Sequence, residues 1–122
     1  MAVSTISING AGVSGATLSI REQSVENWNF ILNVNLTGSY IWLKVVAAEM
    51  AKNGGGSVVN VASTAGLRTT DVGTSPYVAS KFGVVGLTKA AAVDLSELGV
   101  RVNAVAPGPI ATKERGCTSQ PL

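Results

Sequence analysis

No histidine occurs among the 122 residues of the chain, and Cys117 is its only cysteine. The first absence excludes histidine-based catalytic triads and histidine-ligated metal sites. No metal is therefore expected. The second rules out a disulfide within the chain and points to a reducing compartment, by default the cytoplasm. Charge is scarce as well. Nine basic and seven acidic residues leave a net +2, and the arginines are scattered along the chain. Nothing there forms the basic patch that a nucleic acid requires. No uninterrupted apolar run of about 18 residues appears, and no basic-then-apolar leader precedes a small-residue cleavage site. Neither nucleic acid nor membrane is an expected partner.

Hydrophobic residues make up 46% of the chain, a globular composition sufficient for one domain and one modest core. Residues 2–8 alternate as a strand does, and a Gly/Ser/Thr loop follows over 9–23. Ser24 is placed to cap a helix, with Glu26 in its first turn. A long helix is predicted over 24–53, its apolar stripe running through Trp28, Ile31, Leu32, Val34, Leu36, Ile41, Val45, Ala48 and Met50. The run Gly54-Gly55-Gly56 ends it. Ser57–Ser63 reads as a buried Val-rich strand. Pro76 suits the first turn of a second helix, predicted over 76–98 with Gly99 as its stop. A third strand covers 100–105, and Pro107-Gly108-Pro109 breaks the chain into an irregular tail over about 114–122.

Strand, helix, strand, helix, strand implies right-handed crossovers and a parallel sheet. With strands in sequence order, both helices fall on one face and the other has no cover within the chain. The fold class is α/β: a single, partial Rossmann-type doubly wound domain over 1–122.

Residues 10–15, Gly-Ala-Gly-Val-Ser-Gly, match G-x-G-x-x-G directly after the first strand. A dinucleotide phosphate turn leads straight into a helix, with an acidic residue about 20 positions later. Here the glycines run into ATLSIREQS, which has no helical stripe. They read as a tight loop instead.

Five short motifs occur in order: Asn9-Gly-Ala-Gly12, Asn33-Val-Asn-Leu-Thr-Gly38, Ser63, Tyr77-Val-Ala-Ser-Lys81 and Pro107-Gly-Pro-Ile-Ala-Thr112. Together they resemble the short-chain dehydrogenase/reductase family, over about Ile8 to Lys113. The resemblance implies NAD or NADP as cofactor and hydride transfer with a small alcohol or carbonyl substrate. It makes Asn9, Ala11 and Gly12 the floor of the cofactor pocket. Gly10 departs from the family's Asn-Asn-Ala-Gly turn. The resemblance also assigns Pro107, Gly108, Ile110 and Thr112 to the nicotinamide carboxamide.

Tyr77 and Lys81 stand one helical turn apart on one face. A phenol is a poor base at neutral pH, and an adjacent ammonium favours its ionised form. The pair is thus a candidate general acid/base that needs no histidine; an ordinary surface Tyr and Lys is the alternative. Ser63 lies at the carboxyl end of a strand, where ligands of open α/β sheets bind, and its hydroxyl suits a substrate oxygen. It precedes Tyr77 by fourteen positions, one more than the family spacing. Thr64 would restore thirteen, but Ser63 keeps the spacing to Gly66. Asn35, a poor helix former in mid-helix, is by resemblance the fourth catalytic residue, supporting a proton relay through water. It is also suited to holding backbone groups at a kink near Gly38. By the same resemblance Tyr77 and Lys81 contact the cofactor ribose.

The family's first strand, its Thr-Gly-x-x-x-Gly-x-Gly turn and its C-terminal substrate-covering segment have no counterpart here, so a truncated chain is expected. Two functions remain open. One is an oxidoreductase with Tyr77 as acid/base. The other is an inactive remnant acting as an oligomerisation or interaction module. The family's long helices pack between subunits, which implies homo-oligomers through helices 24–53 and 76–98. Substrate, direction and NAD versus NADP are not encoded in any motif present.

Overall fold

A computed structural model describes residues 5–68 and 72–110. The start of the expected first strand, residues 69–71 between the second strand and the second helix, Thr112, Cys117 and the tail lie outside the described residues. Three strands, β1 (Thr5–Asn9), β2 (Gly56–Val61) and β3 (Val100–Val105), form one parallel sheet in the order β1-β2-β3. In register, Asn9 lies beside Asn60 and Val61 beside Val105. All three strands therefore end along one edge.

The first crossover is helical over 28 residues, with a break in hydrogen-bond pattern. Helix α1 (Val25–Leu32) is capped as expected: Ser24 Oγ accepts the Asn27 N–H at 3.0 Å. A π-turn spans Asn33–Thr37, closed by the Gly38 N–H on the Asn33 carbonyl, and α2 (Gly38–Lys52) continues from it. This corrects the single uniform helix expected over 24–53. Five of its six buried positions, Ile31, Asn35, Ser39, Leu43 and Ala47, recur every four residues, and Met50 follows three later. Four residues advance an α-helix by about 400°, so such a row drifts off one face unless the wider π-turn takes up the difference. Ile41 and Val45 of the expected stripe consequently point outward, 55% and 62% exposed.

The segment Val25–Lys52 is long and apolar enough to cross a membrane. It holds no uninterrupted apolar run, since Asn33, Asn35, Thr37 and Ser39 fall within it. In the fold one face of the segment packs on the sheet. Helix α3 (Ser75–Asp94) starts with Pro76 in its first turn. It ends earlier than expected, giving way to a 3₁₀ turn over Ser96–Leu98 before Gly99 at φ 72°. Glycine takes that left-handed conformation without steric cost. Leu43, Met50, Val58, Ala91, Val100 and Val102 form the core between helices and sheet.

Candidate active site

Each strand exits at the same edge into a loop: residues 10–19 after β1, Ala62 and Ser63 after β2, and 106–110 after β3. In parallel α/β sheets this edge is where ligands bind. The loops are tied to one another. The Ala62 N–H donates to the Val105 carbonyl at 2.8 Å, and the Thr64 N–H to the Pro107 carbonyl at 3.0 Å. Strand β2 stops at Val61, so Ser63 stands two residues beyond it. There it caps a 3₁₀ turn over Thr64–Gly66, its Oγ accepting the Ala65 N–H at 3.1 Å. Gly66 lies flat on α3: a Cβ there would stand 2.6 Å from the Lys81 carbonyl oxygen.

Lys81 is the centre of the arrangement. It is 5% exposed. Its Nζ donates to the Val61 carbonyl at 3.1 Å and lies 5.7 Å from the centroid of the half-buried Tyr77 ring. Burial holds this ammonium below its ordinary value of 10.5. Among the described residues the one ion pair is the exposed Lys52–Glu49, so no described carboxylate pairs with Lys81. An ammonium has three N–H donors, and one carbonyl occupies one of them.

Gly12 faces this group. A Cβ at that position would lie 3.4 Å from both Lys81 Nζ and Asn35 Oδ1. Asn35 is 1% exposed. Its Oδ1 accepts the Val13 N–H at 2.8 Å, and its Nδ2 donates to the Val13 carbonyl at 2.8 Å and to Ser80 Oγ at 3.0 Å. These bonds hold the backbone of Val13 in the loop after β1, and both readings of Asn35 are compatible with them.

The structure thus gathers Gly12, Asn35, Ser63, Tyr77 and Lys81 at one end of the sheet, with the Pro107 turn beside Thr64. Ala11, Gly108 and Ile110 are exposed on the loops of the same edge. The Asn9 side chain turns to the neighbouring strand, its Nδ2 donating to Asn60 Oδ1 at 3.4 Å.

Three residues escaped sequence reasoning. Ser80 and Asn60 are both fully buried, at 0% exposure. Ser75 Oγ, at the first turn of α3, is buried without a hydrogen-bond partner among the described residues. Polar residues inside otherwise apolar segments, such as Asn60 among valines, were the available signal. Among the described residues, no three His, Cys, Asp or Glu side chains cluster as a metal site would require.

The last glycine of the 10–15 run serves close packing. Helix α1 begins only at Val25, ten residues after Gly15. Gly15, at φ 72°, packs against Ile31. No helix N-terminus therefore stands where a phosphate turn would need one.

Comparison with known proteins gives a consistent picture. Residues 4–120 match the family model described as short chain dehydrogenase. A 3-oxoacyl-[acyl-carrier-protein] reductase of Synechocystis is 42% identical over 105 residues, covering 86% of this chain and 42% of the relative. An NAD+-bound xylitol dehydrogenase superposes with a TM-score of 0.85 at 32% identity, covering 89% of this chain and 42% of the other. ElxO with NADP bound gives 0.83 at 35% identity, with 89% and 44% covered. The chain spans about two-fifths of the length of the curated relatives it matches.

Proposed function

The chain belongs to the short-chain dehydrogenase family, and we propose that it carries the catalytic end of an NAD- or NADP-dependent oxidoreductase acting on a small alcohol or carbonyl compound. The observation that supports this most is Lys81, a buried ammonium with one carbonyl partner, lying against Tyr77 and opposite Gly12. A buried cation with unspent donors is costly unless a polar ligand completes its shell. The vicinal hydroxyls of a nicotinamide ribose fit that need, and Gly12 leaves room for them that a Cβ would fill.

When bound, the dinucleotide supplies the carbon that accepts or delivers a hydride. Tyr77 takes the proton from the substrate hydroxyl in oxidation and returns it to the carbonyl oxygen in reduction. Ser63 Oγ already accepts from Ala65, so its O–H is free to donate to the same substrate oxygen and stabilise developing charge. Lys81 holds the ribose and supports the charge on Tyr77. Asn35 fixes Val13, and with it the turn that forms the pocket floor. Ala11 and Gly12 meet the cofactor from that turn. Asn9 contributes through its backbone, because its side chain is held by Asn60. By the family resemblance Pro107, Gly108 and Ile110 would receive the carboxamide, as would Thr112, which lies outside the described residues. No helix begins directly after the turn over 10–15, so the share proposed for this chain is the nicotinamide end.

The test is thermal unfolding of the chain with and without NADH and NADPH. A ligand at a hundredfold excess over its Kd stabilises the native state by about 2.7 kcal/mol, so one cofactor should raise the midpoint. Turnover of alcohols and ketones, followed by nicotinamide absorbance, should then fall by about a hundredfold or more in Tyr77→Phe while the midpoint shift persists. A cooperative transition that neither cofactor moves would overturn the proposal.

That result would favour the second reading, an interaction module. Its support is exposed apolar surface: Ile6 and Ile8 on the uncovered sheet face, and Phe30, Tyr40, Trp42 and Phe82 on the helices. Self-association through helices 24–53 and 76–98 would appear as a concentration-dependent mass in sedimentation.

A further inference from the structure

We infer that Ser80 and Thr88 are positioning residues: two hydrogen-bond chains pin α3 to the stretch Asn9–Val13 at two points, and so hold Tyr77 and Lys81 opposite Gly12. The first chain runs from Val13 through Asn35 to Ser80 Oγ, which donates in turn to the Tyr77 carbonyl at 2.7 Å. The second runs from Asn9 Nδ2 to Asn60 Oδ1, from Asn60 Nδ2 to Thr88 Oγ1 at 3.0 Å, and from Thr88 Oγ1 to the Val84 carbonyl at 2.7 Å.

The direction of each chain is determined. A hydroxyl has one proton, and Ser80 and Thr88 spend theirs on carbonyls of their own helix. Each is left only as an acceptor, and an asparagine from another element supplies the donor. Asn35 spends both of its amide protons, one on Val13 and one on Ser80. Ser and Thr often bond back to their own helix with no wider consequence. Here both hydroxyls also receive an amide whose other end is bonded to Asn9 or Val13.

The two pins complement each other. Eight residues separate them, about 12 Å along the helix, and their side chains differ by about 80° around it. One therefore faces the π-turn and the other the sheet. A single pin would leave α3 free to roll about it; two pins on different sides oppose both roll and slide. Lys81 follows the first pin directly. Its donors meet Gly12 only if α3 keeps this height and rotation.

The catalytic consequence rests on the function proposed above, so the test uses readouts that need neither cofactor nor turnover. The first is the titration of the Lys81 side chain, followed by NMR in the full chain. In the wild type its midpoint lies below 10.5. Ser80→Ala and the isosteric Thr88→Val should both move it back toward 10.5, as α3 loosens and water reaches Nζ. Thr88→Ser, which keeps the hydroxyl, should retain the wild-type midpoint. The second is hydrogen exchange in the wild type. The Val13 N–H, in a loop without regular structure, should exchange at least about tenfold more slowly than those of exposed Ser14 and Ala16, and the Asn60 side-chain amide should be similarly protected.

Folded Ser80→Ala and Thr88→Val proteins with an unchanged Lys81 midpoint would overturn the inference. If either variant loses its cooperative transition, the wild-type exchange decides: protection of Val13 and Asn60 supports the pins, and rates equal to the exposed neighbours overturn them. A failure of NADH and NADPH to bind leaves all of these readouts intact, so the two proposals fail separately.

Discussion

The two faces of the sheet use similar residues to opposite ends. On the helix side Val58, Val100 and Val102 are at most 5% exposed, and Asn60, a polar residue, is 0% exposed. On the other side Ile6 and Ile8, among the most apolar residues of the chain, are 69% and 68% exposed. Side-chain chemistry therefore does not predict which face is buried. Position relative to α2 and α3 does. The covered face also carries the links that organise the site: Asn9 to Asn60 to Thr88 on the sheet, and Lys81 to Val61 at its end. Stability and site geometry are concentrated on one face, and the other carries exposed apolar side chains.

This contrast can be broken most forcefully from the core. Met50, 1% exposed in the cluster with Val58 and Val100, should cost about 2–5 kcal/mol when changed to Ala, read as a lower denaturant midpoint at unchanged slope. Gly66→Ala comes next. Its Cβ would meet the Lys81 backbone at 2.6 Å, and forcing it in should cost about 1–3 kcal/mol. Because the displaced group is Lys81 itself, the midpoint shift induced by NADH or NADPH should shrink as well.

A pH series sharpens the comparison further. Burial lowers the Lys81 pKa in the folded state below its ordinary 10.5. Between the lowered value and 10.5 the unfolded chain binds more protons than the native one, so stability should rise with pH across that window. Lys81→Met should remove this contribution to the rise, as measured by thermal midpoints in alkaline buffers. The smallest effect belongs to the open face. Ile8→Ser should change the chain's own stability by no more than about 0.5 kcal/mol while reducing any self-association seen in sedimentation. A loss there as large as that of Met50→Ala would mean the open face is covered after all.

Much of the fold was legible. The third strand and the Ser24 cap coincide with expectation, because each depends on a residue's own backbone preferences or on a periodicity of few positions; Gly99 closes a 3₁₀ turn rather than the helix itself. The π-turn was legible only as one reading of Asn35, a kink near Gly38. Its signal, polar Asn35 and Ser39 in the row of buried positions, becomes meaningful only when the facing elements are known. The gathering of Asn35, Ser63, Tyr77 and Lys81 at one sheet edge followed from strand order and family resemblance. The inward turn of the Asn9 side chain and the burial of Ser80 did not.

The sequence by itself determined the alternation of strands and helices, the absence of histidine chemistry and the spacing of Tyr77 and Lys81 on one helical face. These are properties of local backbone preference and covalent order. Only the tertiary structure decided which polar groups would be buried and to what they would bond. Asn9 reaches Asn60 across 51 residues and Asn35 reaches Ser80 across 45. Such partners meet only after packing has removed water from both, since a buried polar group must then take whatever partner the fold places beside it.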